Sequence, residues 1–321
     1  MKVLLTPLDA LLAHTTLLAM WGAILLHWFF PVPSDISPLT LWRRVADAIS
    51  DKVNHAEDTP EQQRLAGALS LAIMWLTVAV LLVALKQLVW IDWLFELLLL
   101  WLALGWKPVT NLALEVERAL SRDDKPQART LLATALNRQT YSLSPVGIAK
   151  AGCETLLVGY VRGLIGILFW YAVAGGIGAF LYALVAQLTR TWPPRKQEYA
   201  QFGLPTSAML SLLDWLPSRL FALLIAAGHR FQPALTAIRE QGQNWSVNGA
   251  GWLLAASGAK FQLALGGLAI YDDEKCVRPN VGGEIAPSSL HLALLNQTLR
   301  QKALLWIVIQ SFLMWFAHGL L

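Results

Sequence analysis

Asp214 and Arg219 stand five residues apart around Pro217, inside an otherwise apolar run. Charges at such a place are expensive unless they are paired or face water. The spacing therefore reads equally as a buried ion pair fixing a broken helix or as part of a site. Arg219 has the planar fork to hold a phosphate or a carboxylate bidentately, which lysine cannot reproduce. Farther on, Trp245-Ser246-Val247-Asn248-Gly249-Ala250-Gly251 sets polar donors between glycines that permit close backbone approach to a ligand. Asn248 offers a neutral donor and acceptor to an amide or hydroxyl. The same glycines suit a plain turn.

Other polar residues border apolar sequence. Arg138-Gln139-Thr140 is expected to end a helix, and Lys150 and Glu154 are spaced as a surface pair on another. Arg162 reads as a snorkelling anchor at a span edge. Gly159 and Gly163 form a GxxxG that favours close helix packing over ligand contact. Leu265-Gly266-Gly267 leads to Tyr271 and then to an acidic run, Asp272 to Glu274, expected to be a solvated loop. Energetics place a polar pocket where Asp214 and Arg219 approach the Ser246–Asn248 loop, with Arg138 and Glu154 on facing helices.

Several familiar devices are absent from the sequence: GxxxxGK[ST], a strand-borne GxGxxG and HExxH. The six histidines, His14, His27, His55, His229, His291 and His318, are too scattered to suggest a metal site. Cys153 and Cys276 form neither a disulfide framework nor a thiolate cage. No metal-ligating residue is assigned.

The elements that must position these groups are membrane helices. Apolar residues make up 56% of the 321, charged residues only 14%, and mean hydropathy is +0.49. So few charges cannot cover a soluble surface, so a bilayer is the solvent for part of the chain. Residues 10–30, 66–85, 163–188 and 303–321 carry no Lys, Arg, Asp or Glu and are long enough to cross. The first is not expected to be a cleaved signal peptide. Residues 87–106 form a fifth span; its Asp92 and Glu96 must face protein interior or the interface. Residues 204–228 are a weaker sixth. Trp28, Trp90, Trp93, Trp106, Trp192 and Trp306 fall near segment ends, as interfacial tryptophans do.

If all six cross, the 31–65, 107–162 and 229–302 loops share one side and hold 19 of the 25 Lys and Arg residues. The positive-inside rule then makes that side cytoplasmic, in a multi-pass membrane protein. The mild excess of 25 basic over 21 acidic residues sets orientation and argues against nucleic acid as a partner; membrane lipid is the expected one. Ser37-Pro38 opens an amphipathic helix over 38–54, and Asp123-Asp124 precedes another marked by Ala128, Leu131, Leu132, Ala135 and Leu136. No strictly alternating run suggests a sheet. The expected architecture is an all-α, polytopic integral membrane domain with amphipathic cytoplasmic helices, spanning 1–321 as one unit.

The order of these clusters resembles the CobD/CbiB family of cobalamin biosynthesis and, in the same superfamily, the AmpE proteins. The likeness runs from about residue 35 to 300. It includes Arg64-Leu65-Ala66-Gly67, Arg138 with Thr140, Glu154-Thr155, Phe202-Gly203, Asp214-Trp215-Leu216-Pro217-Ser218-Arg219-Leu220, Ser246-Val247-Asn248-Gly249, Leu265-Gly266-Gly267 and Tyr271. The resemblance implies that an amino-alcohol or its phosphate is joined to a propionate of adenosylcobyric acid, with ATP and Mg²⁺ as cofactors. Corrinoid substrate and other corrinoid-pathway proteins are the partners it implies. It also implies catalytic roles for Glu154 and Asp214. Arg138, Thr140, Arg219, Ser246, Asn248, Gly266, Gly267 and Tyr271 become ligand-binding residues.

There are departures. Gln139 stands where the family has Asp, and Val158, Gly159 and Arg162 replace a Glu, an Asn and an Asp. Ala186, Gln187 and Thr189 align with an Asn-Thr-x-Asp stretch. Losing these carboxylates removes plausible metal ligands. Leu168-Phe169-Trp170 and Trp215-Leu216-Pro217 stand closer to the AmpE-like branch, so a non-catalytic sensory or regulatory protein is the alternative.

The charge arithmetic places the 107–162 and 229–302 loops on one, cytoplasmic, face. Single-cysteine variants S121C and S288C, in a background without Cys153 and Cys276, should both resist an impermeant thiol reagent on intact cells. Labelling of one alone overturns the six-segment topology.

Overall fold

The computed structural model describes residues 15–33, 35, 37–243, 250–271 and 274–319. Helices dominate: α1 (Thr15–Phe29), α2 (Pro38–Val53), α3 (Pro60–Leu88), α4 (Asp92–Ala103), α5 (Trp106–Ser121), α6 (Lys125–Ala133) and α7 (Pro145–Tyr160). A π-helical turn, Val161–Ile165, joins α7 to α8 (Gly166–Thr191); then come α9 (Leu204–Ala226), α10 (Phe231–Gln241), α11 (Ala250–Phe261) and α12 (Ser289–Gly319). Four helical segments among the described residues are long and apolar enough to cross a membrane: Pro60–Leu88, Asp92–Ser121, Pro145–Thr191 and Leu204–Ala226. Leu69, Ile73, Leu76 and Val80 line the outside of α3, and Leu304, Val308, Phe312 and Trp315 that of α12. Apolar stripes this long belong against lipid. The chain is a helical, multi-pass membrane protein.

Local chemistry sets the helix starts as the sequence predicts. The Ser37 hydroxyl accepts from Leu39 N–H ahead of Pro38, and the Asp124 carboxylate accepts from Gln127 N–H ahead of α6. Trp42 and Ala46 turn inward from α2, while Leu41 and Val45 stay exposed. Thr59 and Gln62 close a capping box at the start of α3.

The 163–188 span is where the structure departs most from the sequence reading. The helix is interrupted at Ala174 (φ −138°, ψ 22°) and Gly175 (φ +64°, ψ −163°). Gly166 packs on the Tyr182 ring, and a Cβ on Gly178 would lie 3.0 Å from the Trp170 carbonyl oxygen. In a straight helix residues 166 and 182 would stand about 24 Å apart. The chain therefore reverses, and limbs 145–173 and 176–191 run back along each other as a helical hairpin. Glu96 of α4 holds the turn. Its carboxylate accepts the Gly176 N–H, capping the second limb, and pairs with the Lys86 ammonium at 3.0 Å. Of the two acidic residues of the fifth span, Glu96 thus faces protein interior, as its cost requires, while Asp92 is exposed at the start of α4.

Segment 204–228 also differs: α9 continues through Pro217 without a break. Proline frees the carbonyl four residues earlier, and the Trp170 indole N–H donates to that Leu213 oxygen at 3.2 Å. Ser218 hydroxyl donates to the Asp214 carbonyl at 2.6 Å. Of the tryptophans assigned to the interface, Trp28, Trp90 and Trp93 are exposed, but Trp106 and Trp192 are core residues. Trp192 packs edge-on against Phe202, with centroids 4.9 Å apart.

One element escapes the periodicity argument. β1 (Ala264–Tyr271) and β2 (Glu274–Gly282) form an antiparallel hairpin. Its alternation is broken by a register shift between Gly266 and Leu268, where Gly266 and Gly267 take φ of +78° and +77°. The all-α description thus holds apart from this hairpin, which hides behind its own bulge.

Gly175→Ala should lower the stability of the detergent-solubilised protein by about 1–2 kcal/mol, the cost of a left-handed residue with a Cβ. The new Cβ would also lie 2.8 Å from the Glu96 carboxylate. An unchanged thermal midpoint would show that this turn does not constrain the hairpin.

Candidate functional site

The hairpin limbs, α5, the 134–138 segment, the 193–195 loop and the start of α9 enclose a cavity of about 770 Å³. Ligand pockets span roughly 300–1,000 Å³. Arginines from separate elements converge on it: Arg138, Arg162, Arg190, Arg195 and Arg278. Among the described residues, Glu154 is the one carboxylate in its wall.

Glu154 is buried and fully engaged. Arg278 grips it with two bonds, Nη1 to Oε2 at 2.9 Å and Nη2 to Oε1 at 3.2 Å. Arg138 Nη2 donates to Oε2 at 3.4 Å, and Gly266 N–H donates to Oε1 at 2.8 Å. The bulged strand makes this possible. With both glycines left-handed, β1 turns the Gly266 amide toward Glu154 and its carbonyls toward Arg278, whose Nε donates to the Gly267 oxygen at 3.1 Å. Gly266 and Gly267 thus hold the carboxylate–guanidinium cluster, without themselves lining the cavity.

Asp214 is buried between both limbs. Its Oδ1 accepts from the Tyr182 hydroxyl at 2.6 Å, and its Oδ2 from Arg162 Nε at 3.0 Å. The expected Asp214–Arg219 pair does not form. Residues five apart on a continuous helix do not face each other. The Arg219 guanidinium stacks between Trp215 and Trp252, 4.2 and 4.8 Å from their ring centroids, away from the cavity wall.

The structure therefore brings Arg138 and Glu154 together, with Thr140 buried on the loop beside them. That loop lies beyond α6, which ends at Ala133, and Gln139 N–H donates to the Ile270 carbonyl of β1. Asp214 joins the cavity only through Arg162, which is an ion-pair partner and not a snorkelling anchor. The Lys150–Glu154 surface pair is replaced by the buried arginine cluster. Tyr271 ends β1 opposite Glu274. Ser246 and Asn248 lie outside the described residues. Gly159 and Gly163 serve close packing, as their spacing predicts: Gly159 abuts Val109, and Gly163 O accepts from Gly105 N–H at 3.0 Å.

Sequence reasoning missed Arg278, Arg190, Arg195 and Tyr182. Arg278 sits on an unrecognised strand, and the other three become neighbours of the site only through the reversal at Gly175. A second cavity, about 590 Å³, lies between α10 and Gly282–Ile285; Arg230, Glu240 and Glu284 are in its wall, without a convergent set of cations.

Breaking a buried ion pair from one side costs about 3–5 kcal/mol. Glu154→Gln should destabilise the protein by that order, and Arg278→Gln likewise. The double variant should lose clearly less than the sum in denaturant unfolding. Additivity would mean that the pair does not couple.

A family profile described as CobD/Cbib protein matches residues 20–301. A cobalamin biosynthesis protein CobD from Stutzerimonas stutzeri is 34% identical over 275 residues, 86% of this chain and 90% of the relative. Its counterpart in Chromobacterium violaceum is 28% identical over 288 residues, covering 88% and 92%. Cobalamin biosynthesis protein CbiB of Salmonella typhimurium is 28% identical over 223 residues, 68% of each chain. No solved structure matches. A profile match over most of the length, with a relative above 30% identity, makes this chain a member of the CobD/CbiB family.

Proposed function

We propose that this chain serves cobalamin biosynthesis as a membrane-embedded amide-forming synthase, joining an amino-alcohol or its phosphate to a propionate of adenosylcobyric acid. The observation that carries this reading is the arginine-lined cavity. The propionate, the nucleotide and the phosphate ester of the amino-alcohol are all anionic, and guanidinium forks suit carboxylate and phosphate alike.

The arginines fit the phosphates of ATP, which supplies the driving force for amide formation. A protein-held Mg²⁺ fits poorly. Among the described residues no group of three or more His, Cys, Asp or Glu converges, and the Glu154 oxygens are occupied by arginines and an amide. No step is assigned to such an ion. For the same reason Glu154 is a positioning residue for Arg138 and Arg278, and Asp214 one for Arg162. The chain contributes preorganised positive charge where phosphate and carboxylate must be brought together, in a site walled by membrane helices.

Complementation tests the reading. In a strain lacking the amide-forming step, this chain should restore growth on cobyric acid, while cobinamide rescues the strain with or without it. Failure on cobyric acid, with the chain present in the membrane, would overturn the synthase reading in favour of a sensory or regulatory role of the AmpE type.

A further inference from the structure

Within the cavity the arginines are not equivalent. Arg138 and Arg278 are committed to Glu154. Arg162 lines the cavity and is bound to Asp214 through Nε, so that carboxylate does not occupy the terminal nitrogens of its fork. Arg190, on the returning limb, is exposed to the cavity, and among the described residues no carboxylate lies within ion-pair distance of it. Arg195 adds a third guanidinium to this wall. Gln187, one turn before Arg190, accepts two bonds from Arg43 at 2.7 Å each, so a further cation stands behind. Like charges gathered beside a membrane-depth interior repel one another and call for an anion.

We propose that Arg162 and Arg190 form a phosphoryl subsite for a soluble phosphate ester or polyphosphate, aimed by a buttress of Asp214 and Tyr182. The reasoning is geometric. Arg162 rises from a π-helical turn, an irregularity that redirects side chains and recurs at functional sites. Its orientation is then fixed twice: by the Asp214 carboxylate on Nε, and by the Tyr182 hydroxyl that holds that carboxylate at 2.6 Å. Tyr182 belongs to the same limb as Arg190, eight residues earlier and hence about two turns away. The reversal at Gly175 therefore delivers the buttress and the second arginine together. Two forks without a competing carboxylate at their tips match the tetrahedral oxygens of a phosphoryl group better than a planar carboxylate, for which one fork suffices.

This subsite deepens the synthase reading but is tested without catalysis. The full chain is placed in phosphatidylcholine nanodiscs, and pyrophosphate binding is measured by calorimetry. Arg190→Gln should weaken binding by about tenfold or more, the scale of one charge-assisted hydrogen-bonding group. Tyr182→Phe, which keeps the ring against Gly166 but removes one hydrogen bond from Asp214, should weaken it several-fold in an empty protein that stays folded at a lower thermal midpoint. Arg162→Lys should also weaken binding, since lysine lacks the fork, whereas Arg44→Gln, on the exposed face of α2, should bind normally. Equal pyrophosphate affinity in wild type and Arg190→Gln overturns the subsite. Loss of the Tyr182→Phe effect overturns the buttress. If Arg190-dependent binding disappears in phosphatidylglycerol discs, the site belongs to a lipid headgroup and the assignment to a soluble phosphate is overturned. Arg190-dependent binding with failed complementation would leave the subsite standing and remove the synthase reading alone.

Discussion

A carboxylate surrounded by apolar helices persists only where cations or N–H donors close around it, and three such carboxylates organise this protein. Glu96 caps the returning limb of the central hairpin and takes Lys86 as its counter-ion. Asp214 is clamped between Tyr182 and Arg162, one from each limb. Glu154 binds two arginines and a strand amide. Each ties together elements distant in sequence, and each loses several kcal/mol of compensation when one partner is removed. The hairpin, α4, α9 and β1 are therefore held by polar contacts that a wholly apolar bundle would not need, and the cavity lies among them.

This arrangement also explains how the cavity comes to be lined by converging positive charge. The acids orient arginines. Arg278 and Arg138 are drawn to one end by Glu154, and Arg162 is drawn by Asp214. The result is preformed positive charge on rigid elements, which costs little reorganisation when an anion enters. The left-handed glycines at 266 and 267 serve the same end, because only a bulged strand presents both an amide and two carbonyls to the Glu154–Arg278 pair.

Composition and charge-free stretches determined that this is a helical membrane protein, since too few polar residues exist to solvate it otherwise. Helix starts at Ser37-Pro38 and Asp124 were equally legible, because capping is a local hydrogen bond between neighbours. The importance of Glu154, Asp214 and Arg138 could be read from their cost in apolar sequence and from the family resemblance. Their partners could not. Asp214 has Arg219 close by in sequence, yet five residues on an unbroken helix point it elsewhere, and its cation comes from 52 residues earlier. Only the tertiary structure decided that 163–188 folds back on itself, because the limb beyond one glycine at positive φ needs Glu96, 80 residues away, as its cap. It also decided that a bulged hairpin brings Arg278 to Glu154 across 124 residues. Periodicity reports which face a residue occupies on its own element; which charges meet is settled by the packing of elements, because there an unpaired charge costs most.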